Sequence, residues 1–209
     1  KGIAVDGAGM IYVTGQAAAS FPTTANAYQR TFDGLWNAFV AKIDPTRAGP
    51  AGLLYSTYLG GTVLSDFGYD IALGGEDTVY VTGATQTDDF PTTPGAFDTT
   101  CGTDGMCNMT DNQVCDYVLP GQLPICHADA KSDVFVARLD TSLSGAASLL
   151  YATYVGGTGH ESGLSIAVDG SGRATVTGKT ASPDFPLADP VQAAIGGNMD
   201  AFAFRLNAA

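Results

Sequence analysis

Four cysteines are the first residues to weigh as chemistry: Cys101, Cys107, Cys115 and Cys126, all within a stretch from about Thr100 to Lys131. They are separated by five, seven and ten residues, so no Cys-x-x-Cys pair is available to build a zinc site. An even number of cysteines in a Gly/Asp/Asn-rich loop reads most simply as two disulfides, with three pairings open. Cys126-His127 has the end of a haem-attachment motif, but Leu123 stands where the first cysteine would have to be. Asn108-Met109-Thr110 fits a glycosylation sequon. The only histidines are His127 and His160, and no serine or cysteine sits in a nucleophile-elbow setting, so a hydrolytic triad has no local signature.

The carboxylates are more informative because they recur. With Ile71-Ala72 aligned on Ile166-Ala167, Asp66 falls on Glu161 and Gly68 on Gly163. Asn37, Asp133 and Asp200 likewise share one position ahead of a strand. Acidic groups repeated around a shared axis would make Asp66, Glu161, Asp133 and Asp200 candidate Ca²⁺ ligands, since calcium takes six to eight oxygens. The competing reading is that short polar side chains cap turns by bonding nearby backbone. Asp88, Asp89 and Asp184 precede Phe-Pro corners and are read as loop caps or, alternatively, as acids for glycoside chemistry. Tyr28, Trp36 and Phe97 are the aromatics placed to stack on a glycan.

Something must position these groups, and the chain repeats it. Tyr12-Val13-Thr14-Gly15 followed by Phe21-Pro22 returns as Tyr80-Val81-Thr82-Gly83 with Phe90-Pro91, then as Thr175-Val176-Thr177-Gly178 with Phe185-Pro186. The gaps between copies are 68 and 95 residues, whereas those between Asn37, Asp133 and Asp200 are 96 and 67. The unit is therefore near 67 to 69 residues, and the second copy carries the cysteine loop as an insertion.

Each unit reads as four strands. The first is Gly2 to Asp6, Asp70 to Leu73 or Ser165 to Asp169, followed by a glycine turn and the Tyr-Val-Thr-Gly strand. The third, Ala38 to Ile43, alternates as a half-buried strand should. The fourth is Leu54 to Gly61, repeated as Leu150 to Gly157. The Phe-Pro corners end pairing, because proline cannot donate to a ladder. After them Ala25 to Tyr28 and Pro94 to Phe97 predict a short helical turn returning one aromatic to the core.

Recurring four-stranded antiparallel units joined only by Gly-Gly predict an all-β fold, a β-propeller of four-stranded blades. The expected boundaries are about 2–59, 68–155 with the insertion at about 100–131, and 163–209 with its last strand missing. Three repeats are fewer than a closed propeller needs, so the expectation is a piece of a larger ring, with a ring completed by oligomerisation or an open, solenoid-like stack of three blades as the alternatives.

Leu-Tyr-Ser-Thr-Tyr-Leu-Gly-Gly, Gly-Tyr-Asp-Ile-Ala, Tyr-Val-Thr-Gly, Asp-Phe-Pro-Thr-Thr-Pro-Gly-Ala-Phe and Asp-Val-Phe-Val-Ala-Arg-Leu-Asp, in this order, resemble the bacterial SBBP repeat family, the seven-bladed beta-propeller repeats. The resemblance covers nearly the whole chain apart from the insertion. It implies secreted or surface-exposed multi-repeat proteins without a common chemistry.

Composition agrees with many short strands and turns: 27 glycines against 14% charged residues. A formal charge of −12 with nine Lys and Arg argues against nucleic-acid binding. No apolar run approaches the ~20 residues of a membrane helix. The chain is expected to be an extracellular or cell-surface scaffold, or a periplasmic one, and a non-enzymatic module binding a protein or glycan through its loops. The alternatives are a carbohydrate-binding or cation-dependent propeller and an accessory subunit of a larger assembly.

Overall fold

The computed structural model describes residues 1–103, 105, 107 and 131–207, and the backbone of 114–116 and 125–127. It is all-β, built of three antiparallel sheets of three or four strands. Sheet one is the meander β1 (Gly2–Val5), β2 (Ile11–Ala17), β3 (Asn37–Ile43) and β4 (Leu53–Leu59). The insertion carries a small ladder of β7 (Val114–Asp116) and β8 (Ile125–His127), in which Cys115 and Cys126 are register partners. Sheet two runs around it as β5 (Asp66–Leu73), β6 (Thr78–Thr85), β9 (Asp133–Asp140) and β10 (Leu149–Val155). Sheet three has β11 (Glu161–Val168), β12 (Ala174–Thr180) and β13 (Asp200–Leu206). Among the described residues no helix is long and apolar enough to cross a membrane.

Sheet two lies between the other two. β5 packs on β1, β2 and β3, and β11 packs on β5, β6 and β9. Its strands therefore bury both faces: Val79, Val81, Phe135 and Leu139 join Tyr12, Val40 and Tyr55 in one core, while Tyr80, Val134 and Val136 join Ile166 and Val176 in another. This explains why Tyr-Val-Thr-Gly shows no polar alternation. The alternation expected of the third strand survives only in β13, where Ala201, Ala203 and Arg205 are exposed, because no further sheet covers that face. β3 and β9 are more deeply buried than the sequence predicted, since a neighbouring sheet covers what would have been the solvent side.

The first strand of a unit is longer than predicted, starting at Asp66 and Glu161, and a bulge interrupts its pairing at Gly68/Asp70 and again at Gly163/Ser165. The bulge thrusts a carbonyl at the next strand: a Cβ on Gly83 would overlap the Phe67 oxygen, and one on Gly178 the Ser162 oxygen. That steric demand is why these glycines end the repeated motif.

The segment after each Phe-Pro corner runs along the fourth strand. Thr24 and Gln29 bond the backbone of Ser56 and Tyr58, and Thr93 and Asp98 that of Ala152 and Tyr154. It covers an edge that would otherwise invite foreign strands. The segment is a plain turn, not the helical turn predicted; it packs Tyr28 against the core as expected but leaves Phe97 56% exposed. At the corner the Tyr58 hydroxyl accepts the Phe21 N–H (3.0 Å) and donates to the Ala18 carbonyl (3.0 Å). Tyr154 repeats this with the Phe90 N–H (2.8 Å) and the Thr87 carbonyl (2.9 Å).

Candidate functional site: the inter-sheet connectors and their groove

Strand register explains where the recurring carboxylates stand. Asp66, Thr85 and Asp133 are cross-strand partners in one row of sheet two, and Glu161, Thr180 and Asp200 form the same row of sheet three. Asn37, paired with Ala17, holds the position in sheet one. These rows sit where one sheet passes to the next.

Asp66 is fully buried and accepts the Gly61 N–H (2.9 Å) and the Thr87 hydroxyl (3.1 Å). Burial pushes its carboxyl up to about 6, helped by the charge of Asp89 and opposed by the hydrogen bonds from Thr85, Gly61 and Thr87. Glu161, also fully buried, accepts the Gly157 N–H (3.0 Å) and the hydroxyls of Thr180 (2.8 Å) and Ser182 (2.7 Å). A second carboxylate closes each connector from outside. Asp89 accepts the Thr62 N–H (3.0 Å) and hydroxyl (2.6 Å), and Asp184 does the same for Thr158 (2.9 Å each). The Gly-Gly pairs are required because Cβ atoms on Gly60 and Gly61 would strike Asp66 and Asp89, and on Gly156 and Gly157, Asp133 and Asp184.

Asp133 accepts the Gly102 N–H at 2.8 Å. Its carboxylate, Cys101 and Cys107 form a buried group whose ligand atoms lie within 4.8 Å of one another, the only such cluster among the described residues. Cys101 and Cys107 are joined as a disulfide, Cα–Cα 5.2 Å, so they offer no thiolate to a cation in this state. The side chains of Cys115 and Cys126 lie outside the described residues. Asp200 belongs to a different setting: at the start of β13 it accepts the Gly196 N–H (2.7 Å) and the Gln192 amide (2.5 Å) of the exposed loop that precedes the strand.

The two junctions differ in how they are covered. At the first, Tyr28, Arg30, Gly61, Thr62, Asp89 and Pro91 line an open groove of about 430 Å³. At the second, the start of the insertion lies across the connector, with Gly102 on Asp133 and the Thr103 hydroxyl on Asp184 (2.9 Å). Of the aromatics proposed for glycan stacking, Tyr28 is half-buried in the groove wall, Trp36 is 42% exposed beside Ser65, and Phe97 is exposed on the loop of sheet two.

One contact was not legible in the sequence. Ser132 Oγ lies 2.6 Å from His160 Nδ1, which places a serine beside a histidine across 28 residues. The Ser132 hydroxyl also donates to the Glu161 carbonyl (2.7 Å), so the imidazole nitrogen supplies the proton of the shared bond. A serine whose hydrogen is committed to a backbone oxygen, and which is 1% exposed, is not set up as a nucleophile. Its role here is to fasten the start of β11. Comparison with protein-family models and with curated proteins finds no match to this chain.

Proposed function

We propose that the three sheets are consecutive blades of a β-propeller of the SBBP repeat kind, and that the chain is a secreted or cell-surface scaffold engaging a protein or glycan partner through its connecting loops. The observation carrying this is the use of the recurring acids. Asp66, Glu161, Asp89 and Asp184 all spend their oxygens on connector N–H and hydroxyl groups, so they join sheets instead of converging on a substrate. Face-to-face packing of successive sheets through β5 and β11 supports the blade reading. The buried Cys101–Cys107 disulfide supports an oxidising compartment.

The groove beside Tyr28 favours a glycan as ligand, since it places an aromatic side chain and Arg30 in one open depression. The test is an array of bacterial polysaccharides and purified surface proteins probed with the native chain and with Tyr28→Ala and Arg30→Ala variants. Retention lost in those variants is the expected result. Hydrolysis of chromogenic glycosides or esters at enzyme-like rates would sink the scaffold reading.

A further inference from the structure

The first two units run in step beyond their Phe-Pro corners up to one place. The carbonyls of Gln29 and Asp98 accept the N–H groups of Tyr58 and Tyr154, and three residues further on stand Phe32 and Cys101. Asn37 and Asp133 then open the third strand of each sheet. Sheet one fills this place with a phenyl ring, 5.6 Å from the Tyr58 ring between centroids, and a neutral amide. Sheet two puts a sulfur and a carboxyl group there, and Cys107 is brought back to join them.

Cys101, Cys107 and Asp133 are all buried. An asparagine at 133 would accept the Gly102 N–H as the acid does, so that hydrogen bond does not call for a carboxyl group. What the carboxyl adds is an oxygen ligand beside two sulfurs, with all three ligand atoms within 4.8 Å of one another. A tetrahedral zinc centre with bonds of about 2.0–2.3 Å spaces its ligand atoms by about 3.3–3.8 Å. Two cysteines with Cα atoms 5.2 Å apart reach that span by rotation about their Cα–Cβ bonds. The fold thus supplies the closeness that the Cys-x-x-Cys spacing supplies elsewhere.

We propose that Cys101, Cys107 and Asp133 form a redox-gated site for a soft divalent cation of the zinc class, closed by the disulfide and opened by a dithiol. The dithiol reduces the S–S bond and is itself oxidised to a disulfide, which leaves two protein thiols. Zn²⁺ then forms two Zn–S bonds and one Zn–O bond to Asp133 as both thiol protons pass to solvent, and water takes the fourth position. Thiolate sulfur selects such an ion over calcium. The ion ties Cys101 and Cys107 to the first residue of β9, so the start of the insertion stays fastened once its disulfide is gone. The site is separate from the groove beside Tyr28 and does not depend on what that groove binds.

The experiment uses the 209-residue chain carrying Cys115→Ser and Cys126→Ser, so that only the buried pair can respond. It is reduced with dithiothreitol, freed of reductant under argon, and titrated with Co²⁺ and then Zn²⁺. A thiolate-to-cobalt charge-transfer band saturating at one ion per chain is expected, displaced by Zn²⁺ and absent from the oxidised chain. Zn²⁺ should also raise the melting temperature of the reduced chain. Asp133→Asn is expected to bind Zn²⁺ about tenfold or more weakly, at least the effect of disturbing a metal ligand's own partner. Asn37 shows that an asparagine fits this place in the fold, which keeps that variant readable. Absence of the band, equal affinity in Asp133→Asn, the same uptake by the oxidised chain, or a reduced chain that unfolds and stays unfolded with Zn²⁺ would each overturn the proposal.

Discussion

The Asp66 carboxylate accepts the Gly61 N–H at 2.9 Å, so the first residue of sheet two holds the glycine through which the chain leaves sheet one. Glu161 and Gly157 repeat the relationship one unit later, with a side chain one methylene longer. The connector is thus fastened from the sheet it enters.

That relationship has a pH signature. Burial raises the Asp66 carboxyl from 3.8 to about 6, so between those values the folded state holds a proton that the unfolded chain has released. The stability from this group is complete below the unfolded value and is lost as pH rises through 6, by up to about 3 kcal/mol. Asp66→Asn does not titrate. Its stability relative to the native chain is expected to climb from pH 4 to 7 and then level off in urea unfolding series. Asp44 and Asp169, held low by the Thr46 and Arg173 hydrogen bonds respectively, contribute the opposite slope in both proteins and cancel. A difference that does not vary with pH would falsify the assignment.

Tyr154→Phe removes a buried hydroxyl that serves two backbone groups at once, the Phe90 N–H and the Thr87 carbonyl. The expected loss is about 1–3 kcal/mol by chemical denaturation. Tyr58→Phe should cost a similar amount, because the same bridge joins Phe21 and Ala18. If both variants are as stable as the parent, the hydroxyls do not lock the corners.

Gly83→Ala forces a Cβ into the Phe67 carbonyl, a backbone atom that cannot swing aside. A destabilisation of about 1–3 kcal/mol or more is expected, with β5 separated from β6 at the bulge. Gly7→Ala is the control, since a Cβ there meets nothing within 4 Å. Its melting temperature should stay close to that of the parent.

Calcium is expected to leave the melting temperature unchanged at millimolar concentration. The oxygens of Asp66 and Glu161 face N–H and O–H hydrogens, the wrong polarity for a neighbouring cation. A rise of several degrees in calorimetry would show that these acids can exchange their donors for an ion.

The strands with strong apolar content were readable because their side chains repeat at one spacing, as in Tyr80-Val81-Thr82-Gly83 and Phe135 to Leu139. The beginning of the first strand was not. Asp66-Phe67-Gly68 and Glu161-Ser162-Gly163 look like turns, and the bulge at Gly68 and Gly163 breaks the two-residue period that would have marked them. The alignment of Asp66 with Glu161 was visible in the sequence, but not that each bonds the glycine four or five residues before it, since that depends on how the connector folds back. Pairing of Ser132 with His160 and the covering of one junction by Gly102 and Thr103 arise from contacts between units, which no local pattern records.

Ile3, Ile71 and Ile166 occupy one position in three sheets, yet Ile3 is 65% exposed while the others are 4% and 6% exposed. Only Ile71 and Ile166 have an earlier sheet lying over them. Purified alone, the chain therefore offers water an oily flank around Ile3 and Val5, and concentrated solutions should cluster through that flank. Charged residues at these two places would be the direct route to a well-behaved sample.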